Sequence, residues 1–140
     1  VWTACYLARS RGLHIEVTTP VIPGVNDSET TLRGIAGRIA TSLGRDVPWH
    51  ITRYCPAYRF SAPSTPLGTL EHAWQIGGEA GLDFVYVGNV PGDPHDDTHC
   101  PGCGERLIRR HGFDVVENTL RAGRCPNCNC AIAGVWSDAR

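Results

Sequence analysis

In "LHIEVTTPVI", Ile15, Val17, Thr19 and Val21 alternate with His14, Glu16, Thr18 and Pro20, which predicts a strand with one largely apolar face and one polar face. The same split recurs in "WHITRY", where Trp49, Ile51 and Arg53 oppose His50, Thr52 and Tyr54, and "DFVYVGN" predicts a third strand. Between the strands the period changes. Leu32, Ile35, Ala36, Ile39 and Leu43 fall at helical spacing, with Gly44 ending the run. Asn26 or Asp27 is placed to cap that helix, and Glu29 to complete a capping box on Asn26. "STPLGTLEHAWQIGGEAG" predicts a second helix, capped by Thr65, with Pro66 at its first position and Leu70, Ala73, Trp74 and Gly77 on one side. Upstream, Trp2, Cys5, Tyr6 and Leu7 mark a short helix closed by Gly12.

Helix, strand, helix, strand, helix, strand is the alternation of a parallel sheet, whose crossovers must be long enough to hold a helix. A sheet covered on both faces has strands apolar on both faces, and these strands keep a polar one. The expected fold class is therefore α/β, a sheet curved around a wetted lumen with helices outside, with Glu16, Thr18, His50 and Thr52 on the concave side. A complete eight-stranded barrel takes about 250 residues, so three strands make part of one. The loops "PGVND", "RYCPAYRF" and "GNVPGDPHDD" leave the C-terminal ends of the strands, where such barrels carry their chemistry.

Composition narrows the function classes. The chain has 140 residues and a formal net charge of −1, and all 13 of its Lys and Arg positions are Arg, scattered rather than clustered. No basic stripe marks a nucleic-acid surface, and no apolar run approaches a membrane span or a signal peptide. With no Met, and a first residue inside a helical pattern, the chain reads as a fragment or a processed product. Seven cysteines, four of them in close pairs, suit metal binding in a reducing compartment better than a disulfide framework, and the cytoplasm is the expected location.

From residue 98 the composition changes, which marks a second, smaller module. Cys100-x2-Cys103 and Cys125-x2-Cys128 are separated by 21 residues, the pattern of a four-cysteine structural metal site. Each C-P-x-C unit forms a knuckle that aims two thiolates at one ion, with Gly104 and Asn129 placed for the left-handed residue that follows. Four protein ligands leave no open position, so the ion is structural, Zn2+ with iron as the chemical competitor. Cys130 and His99 adjoin ligands and are read as pointing away, and Cys5 as a buried bystander. The expected domains are 1–92, the βα units, and 93–140, a zinc-ribbon-like module. The module's arginines do not exceed its acidic residues, which argues against phosphate binding and leaves protein binding open.

"VTTPVIPGVNDSE", "PWHITRYCPAYRF", "TPLGTLEHA", "FVYVGNVPG", "CPGCGERLIRRHGFDVVENTLRAGRCPNC" and "GVW", in this order, resemble the C-terminal half of the AmmeMemoRadiSam system radical SAM enzymes, relatives of pyruvate formate-lyase activating enzymes. The resemblance implies the C-terminal part of a partial (β/α) radical SAM barrel. In the parent protein a 4Fe-4S cluster held by C-x3-C-x2-C would bind S-adenosylmethionine and generate a 5′-deoxyadenosyl radical. That cysteine spacing is absent from this chain, so the fragment alone is not expected to be catalytically competent. The resemblance further implies that Val21, Ile22, Pro23, Gly24 and Asn26 line the cofactor's adenosine, with Arg53 and Tyr54 on the next strand end. Cys55 stands where the family commonly has a histidine, and Asn89 lies on the same rim. Read from the residues alone, "VIPGVND" is a βα turn and helix cap before it is a cofactor contact, and the resemblance reverses that order for Ile22 and Gly24. Implied partners are the missing N-terminal half of the barrel and a protein substrate or partner, with no nucleic acid and no membrane. The alternative is a non-catalytic zinc-ribbon protein-binding module on an α/β scaffold.

Overall fold

The structure is a computed structural model that describes residues 1–136; the last four positions of the expected second module, 137–140, lie outside the described residues. It divides into two compact units, Val1–Val90 and Pro91–Arg140.

In the first unit, strands β1 (Val17–Val21), β2 (Trp49–Arg53) and β3 (Val85–Gly88) form a sheet in sequence order. Both pairings are parallel, with Val17 opposite Trp49, Val21 opposite Arg53, and Trp49 opposite Val85. Helix α1 (Trp2–Ser10) precedes the sheet, and α2 (Glu29–Arg38) and α3 (Leu67–Glu79) are the crossovers. One core joins Val21, Trp49, Ile51 and Val87 of the sheet to Leu32, Ala36 and Ile39 and to Leu70, Ala73 and Ile76. Both crossover helices therefore cover one face of the sheet. The alternate positions take the other face, where Thr18 and Pro20 are exposed and His50, Thr52 and Tyr86 are half-buried. Buried Trp49 donates its indole N–H to Thr19 Oγ1 at 3.0 Å, so the polar side chain on the helix side of β1 is satisfied.

Two expected caps are corrected. The cap of α2 is Ser28, whose Oγ accepts from Thr31 N at 3.3 Å. Asn26 and Asp27 are spent on the preceding turn, and Glu29 pairs with Arg33 at 2.7 Å instead of closing a box. Thr65 does not cap α3. It is wholly buried and bonds to Val21 of β1 and to Tyr54, the residue after β2, while Pro66 occupies the cap position. The run after α2 continues as a π turn, Ile39–Leu43, which ends at Gly44 with φ 119°.

The second unit holds an antiparallel sheet of β4 (Thr98–His99), β5 (Arg106–His111) and β6 (Asp114–Asn118). Among its described residues Thr98, Cys100, Leu107, Ile108, Cys125 and Ile132 are buried, whereas every residue of β6 is exposed. The hairpin turns at Gly112, and Ala122 and Gly123 adopt the left-handed conformation between the bridged residues Arg121 and Arg124. The Trp136 ring lies so close to Gly123 that a Cβ there would fall 2.5 Å from Cδ1, and its indole N–H donates to Ile132 O at 2.8 Å. Among the described residues no helix is long and apolar enough to cross a membrane.

Candidate metal centre

The two knuckles of the second unit repeat one backbone pattern. In the first, Gly104 N donates to Cys100 O and Cys100 N to Glu105 O, both at 2.8 Å. In the second, Asn129 N donates to Cys125 O and Cys125 N to Cys130 O, both at 2.9 Å. Gly104 and Asn129 hold φ values of 77° and 61°, the left-handed turn that reverses the chain behind each pair of thiols. Each knuckle thus presents one buried sulfur, Cys100 or Cys125, and one exposed sulfur, Cys103 or Cys128.

The four ligand atoms lie within 4.8 Å of one another, with Cys100 Sγ 3.5 Å from Cys128 Sγ and Cys103 Sγ 3.7 Å from Cys125 Sγ. A tetrahedral ion with metal–sulfur bonds of ~2.3 Å would set those separations near ~3.8 Å. The donor set therefore fits a metal such as zinc. Charge competition among the thiols points the same way. The backbone N–H of Glu105, with the Asn127 amide, brings Cys103 down to about 7. For Cys128 the backbone N–H of Cys130 works downward, but the neighbouring sulfurs of Cys103 and Cys100 outweigh it and push the thiol up to about 12. A cation among the four sulfurs would take the place of the retained proton. Cys130 is half-buried and outside the four-sulfur group, its Sγ 3.5 Å from Ala131 O, and His99 is exposed on β4.

The residues implied as cofactor contacts gather at one end of the first unit's sheet, because β1 and β2 are parallel and Val21 is in register with Arg53. Ile22, Pro23 and Asn26 are half-buried and Gly24 is exposed, with φ 73° and open space where a Cβ would sit. The turn's polar groups satisfy one another. Ile22 N donates to Asn26 Oδ1 at 2.7 Å, Gly24 N to Asp27 Oδ1 at 2.9 Å, and Asn26 Nδ2 to Pro20 O at 2.9 Å. With those groups paired internally, the loop's Gly24 leaves open space beside the backbone. Arg53 donates Nε to Thr65 O at 3.1 Å, and Tyr54 donates its hydroxyl to Phe60 O at 2.9 Å. Asn89, left-handed at φ 62°, donates to Arg53 O at 3.2 Å, and Cys55 is exposed.

Two features escape the sequence reading. Thr65 ties the strand ends together; its only local signal is the following proline, which favours an extended residue there. On the open face Glu16 bridges two imidazoles, Oε1 to His14 Nε2 at 3.0 Å and Oε2 to His50 Nε2 at 2.7 Å, and His50 stacks on Tyr86 with centroids 5.1 Å apart. The alternation places Glu16 and His50 on the polar face without pairing them.

No protein-family model and no solved structure matches the chain. An uncharacterized protein of Methanocaldococcus jannaschii is 38% identical over 131 residues, an alignment that takes in 91% of this chain. The chain spans 39% of that relative's length, so what the two share is a similarity of sequence across nearly all of the smaller one.

Proposed function

We propose that this chain is the C-terminal portion of a radical SAM enzyme, in which three βα units complete a barrel and a four-cysteine zinc ribbon extends it. The observation that carries the barrel reading is the first sheet itself. Three parallel strands run in sequence order, both crossover helices cover one face, and the other face keeps Thr18, His50, Thr52 and Tyr86. Such a sheet suits the outer wall of a lumen. The ribbon's ion is read as Zn2+, held by Cys100, Cys103, Cys125 and Cys128 in a closed, structural site.

The parent protein's S-adenosylmethionine, bound to a reduced 4Fe-4S cluster, would supply an adenosyl radical. This chain's part is to bind and orient: Ile22 and Pro23 against the adenine, Gly24 by letting the backbone approach, Arg53 and Tyr54 by fixing the neighbouring strand end. This chain cannot hold the cluster by the family's motif, because no three of its seven cysteines have the C-x3-C-x2-C spacing. The N-terminal half of the barrel is thus the first partner, a protein substrate the second, and the reducing cytoplasm the compartment.

One observation favours the alternative, a zinc-ribbon protein-binding module without catalysis: Phe113, Val115 and Val116 of the β5–β6 hairpin are each exposed, with the two valines on opposite faces of β6. The two readings separate in one experiment. The parent-length protein, reconstituted with iron and sulfide and reduced, should release 5′-deoxyadenosine from S-adenosylmethionine, whereas the 140-residue chain should bind one zinc and release none. A cluster-loaded, reduced parent that yields no 5′-deoxyadenosine would leave the binding module as the surviving account.

A further inference from the structure

The metal centre is asymmetric in a way that its four-cysteine pattern does not reveal. The knuckles are C-P-x-C, and the x positions differ: Gly102 in the first, Asn127 in the second. Asn127 Nδ2 reaches across from its own knuckle and donates to Cys103 Sγ at 3.5 Å, joining residues 24 positions apart. Gly102 has no side chain to offer Cys128 in return. A Cβ would lie 3.4 Å from Cys130 Cβ and 3.6 Å from Cys128 Sγ.

Cys103 and Cys128 are the exposed sulfurs, the edge by which water, a chelator or an alkylating reagent approaches the ion. An amide N–H directed at a metal-bound thiolate stabilises its negative charge and fixes its direction, the general effect of outer-shell donors on ligands. Resting on the metal-centre reading above, we infer that Asn127 is a positioning residue that holds Cys103 on the ion, leaving Cys128 as the ligand that detaches first. The centre therefore opens from one side, by the Cys128 sulfur, with the first knuckle staying attached.

The test uses the zinc-loaded full chain and limiting iodoacetamide, with modified cysteines mapped by mass spectrometry and zinc release followed with a chromophoric chelator. In the wild type, Cys128 should be alkylated before Cys103. In Asn127→Ala and in the isosteric Asn127→Asp, alkylation of Cys103 and zinc release should each rise on the order of 10-fold. Cys100 and Cys125 should stay protected, which a general loosening of the ribbon would not allow. Three results would overturn the inference: Cys103 reacting at the wild-type rate in the folded variants, all four thiols becoming reactive together, or an effect in Asn127→Ala absent from Asn127→Asp, which would assign the role to shape and not to donation. A wild-type chain that retains no zinc would overturn the metal reading together with it.

Discussion

Thr65 Oγ1 donates to the carbonyl of Val21 at 2.5 Å, across 44 residues, and accepts from Tyr54 N at 2.8 Å. One buried hydroxyl thus holds the C-terminal ends of β1 and β2 together beneath the loops that the proposed cofactor would touch. Thr65→Val keeps the shape and removes both bonds, which leaves buried polar groups unsatisfied at a cost of about 1–3 kcal/mol. Thr65→Ser keeps both bonds and loses a methyl. Urea denaturation should rank Thr65→Val well below Thr65→Ser; the reverse order would mean that the methyl matters and the hydroxyl does not.

Adjacent glycines of α3 should respond in opposite directions. A Cβ on Gly77 would fall 2.7 Å from Val85 Cγ2 and 3.1 Å from Trp49 Cε3, both on the sheet that α3 covers. Valine is stiff at χ1 and Trp49 is fully buried, so neither yields easily. Overpacking of this kind costs roughly 1–3 kcal/mol, more than the roughly 0.5–1 kcal/mol that alanine gains in helix propensity. At Gly78 nothing lies within 4 Å, and only the gain remains. Gly77→Ala should lower the unfolding midpoint and Gly78→Ala raise it, and a shared direction would contradict this packing.

What could be read from the sequence divides by range. The knuckles are legible because everything they need is local: two cysteines, a proline, and Gly104 or Asn129 able to take a positive φ. Strand order and the two crossover helices follow from changes of hydrophobic period, again within short windows. The helix starts are not legible to the residue. Asn26, Asp27 and Ser28 are all good caps, and the choice falls to Ser28 because the turn's own backbone claims the other two side chains. Thr65 reads as a cap by the same local rule, and a bond to a strand 44 residues away decides otherwise. The Asn127 to Cys103 bond is likewise invisible until the knuckles face each other.

Acid should weaken the open face of the first sheet through Glu16. Partial burial acts to raise its pKa, but hydrogen bonds from His14 and His50 and their positive charge together prevail, holding it below its ordinary value of 4.5. A carboxylate whose folded pKa lies below its unfolded one contributes stability that is fully present above the unfolded value. That contribution is lost as pH falls through the folded one. Glu16→Gln should therefore flatten the acid limb of a Tm-against-pH curve below about pH 4.5. An unchanged acid limb would mean that the two histidine contacts are not held in solution.

Chelation should melt one unit and spare the other. Among its described residues the second unit buries few apolar side chains, chiefly Leu107, Ile108 and Ile132, and two of its other buried residues are the candidate ligands Cys100 and Cys125. A core that small rarely suffices without a staple, and the energy of a structural metal is folding energy. The first unit has its own core, centred on Trp49, Ile51, Leu32 and Leu70, and contains none of the four clustered cysteines. Removing the ion should therefore collapse the amide dispersion of Thr98–His99, Arg106–His111 and Asp114–Asn118 in a nitrogen–proton correlation spectrum. The signals of Val17–Val21, Trp49–Arg53 and Val85–Gly88 should stay in place. Readding one equivalent of zinc restores the lost set if the ligands are the only thing missing. Because metal binding requires thiolates, the zinc needed for half-restoration should rise as pH falls from about 8 toward 6, roughly tenfold for each proton displaced per pH unit. A zinc requirement independent of pH would exclude the thiols as ligands, and a ribbon that keeps its dispersion in chelator would show that its few apolar residues suffice.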